Sequence, residues 1–336
     1  MKNVLFRLDV NKRLGMGHMS RCLDLSSKLK KYNIDSYFLL KNNSDISKFN
    51  NELQERIFTF SNSSLKSEIT KIRELNNKIK FDCLILDLKK LPEKNFFKQL
   101  KKKIKIIVID NTEENSFLAD LVIWPWINNQ YIKKITNQNL EKFLIGTKFM
   151  QLGYTTKKTS KNRIPNSILI SMGGSDKRNL TYKIVKLFKK SNKKFHLGIV
   201  IGDFFMDYNK ILQLIKNDDR FSVIKNQRGL SSIMSEYKIG IFSFGITVCE
   251  AFYSGLPSIV LSHSYENDIY AKQIAKNDCM IYLGYFKKIN FNAIPEETFS
   301  LMRNRKLCNK YSDNGHKMID GKGSMRIAKR IAQLIK

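Results

Sequence analysis

The feature that most restricts how this chain can fold is an alternation of short, unbroken apolar runs with stretches of helical spacing. Runs at residues 4–8, 36–40, 83–86, 104–109 and 121–124 are apolar along almost their whole length rather than at every second position. A strand with one wet face alternates, whereas one apolar throughout is covered on both faces. That pattern calls for a parallel sheet with helical crossovers. Residues 151–165 are then polar and without a periodic apolar face, and read as an interdomain connection. The alternation restarts at 168–170, 197–201, 221–224, 239–242 and 257–261. The expectation is an α/β protein of two doubly wound parallel-sheet domains, 1–150 and 166–320. In the remaining segment, 321–336, Met325, Ile327, Ala328, Ile331 and Leu334 make a helical stripe able to cross back onto the first domain.

Composition narrows the function classes. With 336 residues and 42% hydrophobic content, the chain can fill two ordinary cores. No run reaches the ~18 apolar residues of a membrane span, and Met1-Lys2-Asn3 leads straight into the first run, so the expected location is cytoplasmic. The five cysteines are scattered and never spaced Cys-x-x-Cys, which indicates buried small hydrophobes rather than a disulfide framework or a zinc site. The net charge of +30 points towards polyanions, but only 13 of the 60 basic residues are arginines. Phosphate and base recognition lean on arginine and aromatic platforms, and neither an RNP-like strand nor a helix-turn-helix signature is present. The reading is a solvated lysine coat without a nucleic-acid partner, leaving room for weak peripheral attraction to anionic lipid.

Three loops carry the candidate chemistry. In the first, Gly15-Met16-Gly17-His18 lies between the first strand and the first helix. Its glycines let backbone approach a ligand, and His18 stands at the carboxyl edge of the sheet, where open α/β folds bind ligands; the same residues also make a plain strand-to-helix turn. Asp9, Asp87 and Asp110 each follow a strand. Capping is the reading for Asp110, while Asp9 and Asp87 fit either capping or a place in the site. In the second loop, Ser171-Met172-Gly173-Gly174-Ser175-Asp176, the glycine pair, Ser175 and the following helix N-terminus form an anion cradle or a glycine turn. The third, Phe244-Gly245-Ile246-Thr247, opens a helix with Glu250 one turn in and ends at Gly255-Leu256-Pro257. Glu250 is placed to accept from a ribose diol, or else sits as an early-turn carboxylate. His263, in Ser262-His263-Ser264-Tyr265-Glu266-Asn267, fits a ligand-edge role and a loop role equally; His196 and His316 read as structural.

Gly15-x-Gly17-His18, Ser171 to Asp176, and Thr247-Val248-x-Glu250 with Gly255-Leu256-Pro257 occur in the same order along nearly the whole chain of a known family. The sequence resembles the UDP-sugar hydrolases of the pseudaminic acid pathway, a family that includes spore-coat polysaccharide proteins and is related to the lipid-II-forming N-acetylglucosaminyltransferase. The resemblance implies a GT-B fold, two Rossmann-like domains facing across a cleft that takes a UDP-sugar. It implies Glu250 on the ribose, Gly173, Gly174 and the Phe244, Gly245, Ile246 and Thr247 loop around uracil and diphosphate, and His18 near the anomeric carbon. Two positions depart from the family pattern. Asp87-Leu88-Lys89 stands where the hydrolases carry Asp-His-Tyr, and Glu266-Asn267 where they carry Asn-Gln.

The expected reaction is release of UDP and a free amino or deoxy sugar with inversion. His18 is the general base on water, and no cofactor or metal is called for. The rival is a glycosyltransferase in which His18 activates an acceptor hydroxyl. Its acceptor surface would come from Phe96, Phe97 and Leu100 beside Lys101-Lys102-Lys103.

Overall fold

A computed structural model gives the architecture. It describes residues 2–10, 17–41, 51–61, 64–101, 103–126, 135, 140–153, 163–202, 205–225 and 229–336. The chain divides into two compact units, residues 1–153 with 322–336, and residues 154–321.

The first unit is built on seven parallel strands: β1 (Lys2–Leu8), β2 (Ile34–Lys41), β3 (Ile57–Phe60), β4 (Cys83–Asp87), β5 (Lys105–Ile109), β6 (Leu121–Trp124) and β7 (Phe143–Ile145). They run in the order β3-β2-β1-β4-β5-β6-β7. The second has β8 (Ser167–Ser171), β9 (His196–Ile201), β10 (Phe221–Lys225), β11 (Ile239–Ser243), β12 (Ser258–Ser262) and β13 (Ile281–Tyr285), in the order β10-β9-β8-β11-β12-β13. Both are doubly wound. In each the direction of winding reverses at one place, between β1 and β4 and between β8 and β11, and in open α/β sheets ligands bind at the carboxyl edge of such a switch point.

Three strands were not foreseen: β3, β7 and β13. All lie at sheet edges and are only partly buried; β3 is interrupted by Thr59, β13 by Gly284, and β7 is apolar but only three residues long. Strands β4, β6, β8, β11 and β12 are buried at every residue.

Val4, Phe6 and Leu8 of β1 meet Met19, Cys22 and Leu25 of the helix Gly17–Leu29 in one core. Ile327, Ala328 and Ile331 of the helix Gly323–Leu334 pack into that same core, at the i, i+1, i+4 spacing of a single helical face. The helix that carries His18 is thus clamped between the sheet and the chain's last helix. All five cysteines are free and buried.

Two expectations need correction. Residues 151–165 are not all connection: Gln151 is buried with its side-chain amide donating to the Arg21 carbonyl (3.4 Å). At the other end, Arg163 donates to four carbonyls of the second unit, those of Met234, Tyr237, Ser254 and Gly255, at 2.6–2.8 Å. The second correction concerns Phe96, Phe97 and Leu100, which are at most 2% exposed. They fill the core beneath the helix Lys94–Leu100 and offer no apolar acceptor face.

Candidate active site

In the first unit, the switch between β1 and β4 brings five side chains together. His18, at the second position of Gly17–Leu29, has its Nδ1 2.6 Å from Asp87 Oδ1 at the end of β4. Arg21, one turn along, donates from Nε to Asp87 Oδ2 (2.7 Å) and from Nη2 to Asp87 Oδ1, and its Nη1 reaches Asp110 Oδ2 at 2.5 Å. The Cys22 thiol donates to Asp87 Oδ2 (3.3 Å). Helical spacing explains the grouping: positions 18, 21 and 22 lie on one face, over the ends of β4 and β5. The Asp87 side chain is fully enclosed while 22% of the His18 side chain remains exposed. The imidazole is therefore open to solvent and ligands, as is the Asp110 carboxylate, whose side chain is 21% exposed.

The electrostatics follow from that packing. Burial alone would raise Asp87, but the Arg21 charge and then His18 outweigh it and hold the carboxyl well below the usual carboxylate range. Burial likewise works against the Arg21 charge, and Asp87 with Asp110 more than offsets it. Burial and the neighbouring Asp87 push the Cys22 thiol up, which removes it as a nucleophile. An ionised Asp87 accepts a hydrogen from His18 Nδ1 and thereby leaves Nε2 with its lone pair, the tautomer a general base needs.

Neither Arg21 nor the pairing of Asp87 with His18 was read from the sequence. Asp110 is a correction: it caps no helix but takes a left-handed conformation (φ 53°) and presents its carboxylate to Arg21. The signal available was positional, a carboxylate ending the strand adjacent to β1 and an arginine three residues beyond a histidine. Asp9 is engaged elsewhere, by Arg7 Nη1 at 2.6 Å, while Arg7 Nε holds Glu68 at 2.6 Å. Gly17 begins the helix and is exposed, and Gly15 lies outside the described residues. Leu88 is buried and so cannot meet a sugar, whereas Lys89 is exposed.

In the second unit, three loops leave the carboxyl edge at β8, β11 and β12. Gly173 (φ +91°) and Gly174 are exposed and Ser175 half-buried. The glycine that permits this turn is one the sequence reading passed over: at Gly202 a Cβ would stand 2.6 Å from the Gly174 Cα. Of the expected anion cradle, the helix end needs correction, because Asp176 already fills the N-terminus of the helix Leu180–Lys189. Its carboxylate accepts from the Leu180 N–H (3.0 Å) and the Thr181 N–H (2.7 Å). An anion at that end would meet a carboxylate.

The helix Tyr265–Ala275 after β12 is similarly occupied. Ser264 Oγ accepts from the Asn267 N–H (3.2 Å), and Glu266 and Asp268 stand in its first turn. By contrast, the helix Ile246–Tyr253 after β11 has no side-chain cap and no acid in its first turn. Gly245, Ile246 and Thr247 are half-buried there, above a buried Phe244. Asn267 Nδ2 donates to the Phe244 carbonyl (3.0 Å), and Ser243 Oγ lies 2.6 Å from His263 Nδ1, so the loop is braced on its β12 side. Of these three helix N-termini, the one at Ile246 is the one suited to an anion.

Glu250 lies on the buried face of Ile246–Tyr253, where Oε1 accepts from the Leu230 N–H at 3.3 Å. Burial, opposed only by that amide, pushes its carboxyl up to about 8. A neutral carboxyl presents one donor and one acceptor, which matches a vicinal diol. His196 and His316 are structural: His196 Nε2 is 3.2 Å from Ser222 Oγ, and His316 closes on Gly255, where a Cβ would be 2.5 Å from its Nε2.

Two Rossmann-like units with functional groups at their switch points define the GT-B class of fold. No family model matches the chain. It is 22% identical to the spore coat polysaccharide biosynthesis protein SpsG of Bacillus subtilis over 326 residues, 93% of each chain. It is 29% identical to an uncharacterized protein of Methanocaldococcus jannaschii over 297 residues, 84% of this chain but only 58% of that protein. Among solved structures, MurG of Acinetobacter baumannii superposes with a TM-score of 0.69 at 14% identity, covering 99% of this chain and all of the other. The MnaA–UDP structure of S. aureus gives 0.71 at 14%, over 100% and 97%.

Proposed function

We propose that the protein hydrolyses a UDP-linked amino or deoxy sugar for surface polysaccharide or nonulosonic acid synthesis. The observation that carries this reading is the His18–Asp87 pair, an oriented and reachable imidazole whose Nε2 is an acceptor. The second unit takes the nucleotide, with Glu250 on the ribose and the N-terminus at Ile246 facing the diphosphate. Similarity to SpsG supports the place in polysaccharide synthesis, and likeness in fold to the MnaA–UDP structure supports the choice of nucleotide.

His18 Nε2 removes a proton from water as the water oxygen bonds to the anomeric carbon from the face opposite the leaving group. The bond from that carbon to the diphosphate oxygen breaks with its electron pair, and UDP departs. The sugar leaves with inverted configuration, and the proton stays on His18 until solvent takes it. General-base help of this kind is worth ~10²–10⁴-fold. Each helix N-terminus carries about half a positive charge, which stabilises the charge gathering on the departing diphosphate. Transfer to an acceptor uses the same parts, but Phe96, Phe97 and Leu100 are in the core and supply no surface to hold one.

The test is to incubate the protein with UDP-, GDP- and CMP-sugars and to follow nucleotide and free sugar. Stoichiometric UDP and sugar from a UDP-sugar is the expected result. Release that requires an added alcohol would assign the protein to the transferases.

A further inference from the structure

We propose that buried Arg21 and half-buried Asp110 are a counter-charge pair that sets the pH at which the His18–Asp87 dyad can accept a proton, a positioning role that rests on reading His18 as the base. Arg21 is 7% exposed and contributes three donors to two carboxylates, so it is held more firmly than orientation of Asp87 alone would need. Its Nη2 also lies 3.2 Å from His18 Nδ1. A guanidinium at that distance opposes formation of an imidazolium, unless its charge is drawn off elsewhere. Asp110 does that, on the far arm of the fork.

The charge count gives the sign. Asp87 from β4 and Arg21 from its own helix contact His18, while Asp110 after β5 joins the group through Arg21 and the thiol of Cys22 joins it through Asp87. Beyond this group, Arg7 pairs with both Asp9, just past the end of β1, and Glu68, and the last helix turns Ser324 to Asp24. With neutral imidazole the group carries one net negative charge, and proton uptake brings it to zero. Removing Asp110 starts the group at zero and makes it positive, so proton uptake becomes harder. Removing Arg21 makes it easier. A purely structural pair would not move His18 in opposite directions.

Asp110→Asn is a clean perturbation, since Asn accepts the left-handed backbone at this position as readily as Asp does. The full-length protein is titrated by NMR with labelled histidine, the His18 signal being identified by its loss in His18→Asn. In Asp110→Asn the midpoint falls by about one pH unit or more, and in Arg21→Gln it rises by a similar amount. Arg21→Lys, which keeps the charge but loses the fork, restores the midpoint without restoring turnover. Shifts of the same sign, or an unmoved midpoint in folded Asp110→Asn, overturn the proposal, and the latter decides even if Arg21→Gln does not fold. The NMR readout needs no substrate, so opposite shifts in a protein that turns over no UDP-sugar would support this pair while removing the hydrolase reading.

Discussion

Glu250→Gln offers a perturbation whose size can be worked out from its surroundings. The carboxyl is buried beneath Ile246–Tyr253 and ionises only at about 8, against 4.5 for a free glutamate. A raised value means that stability is fully present below pH 4.5 and is lost as pH climbs towards 8, because the unfolded chain gives up its proton first. At ~1.4 kcal/mol per pH unit, the wild type is penalised by about 1 kcal/mol at pH ~5 and about 4 at pH ~8. Glutamine keeps an acceptor for the Leu230 N–H and does not titrate. The advantage of the variant therefore grows by about 3 kcal/mol across that range, or roughly 6–12 °C in Tm for a unit of this size. Calorimetric scans of both proteins from pH ~5 to ~8 read it directly. A difference in Tm that does not change with pH would refute the burial argument.

Other consequences concern ligand and chemistry. Glu250→Ala, which removes both the donor and the acceptor, should weaken UDP binding about ten- to a hundredfold by calorimetry. Thr247→Asp places a carboxylate at the open helix N-terminus; UDP affinity should fall at least tenfold while uridine, lacking phosphate, binds as before. Asp176→Asn leaves one acceptor where the carboxylate serves two amides, so about 1 kcal/mol of stability should be lost in urea unfolding, with UDP affinity unchanged. His18→Asn should keep UDP affinity within about threefold and lower turnover by roughly 10²-fold or more in steady-state assays.

The central strands were legible because a doubly covered strand must be apolar throughout. β3 and β13 were not, because Thr59 and Gly284 interrupt them, and β7 was not, because three residues are too short a run to read as a strand. Site residues divide along a similar line. His18 and Glu250 stand in short local motifs, whereas Asp87, which pairs with His18, and Asp110, which pairs with Arg21, are far off in sequence and only the strand order brings them there. The sequence placed Asp176 beside a glycine pair before a helix, a pattern that fits an anion cradle as well as a cap. Which of the two applies depends on where its carboxylate turns, and it turns onto the Leu180 and Thr181 amides.

The measurement that tests the central claim most directly is hydrolysis of the active UDP-sugar in ¹⁸O-labelled water, followed by mass spectrometry of both products with the anomer of the fresh sugar read by NMR. The account predicts one labelled oxygen on the anomeric carbon of an inverted sugar and none in UDP. Label in the UDP phosphate would mean cleavage between phosphorus and oxygen, and His18 would then not be acting as a base towards the anomeric carbon.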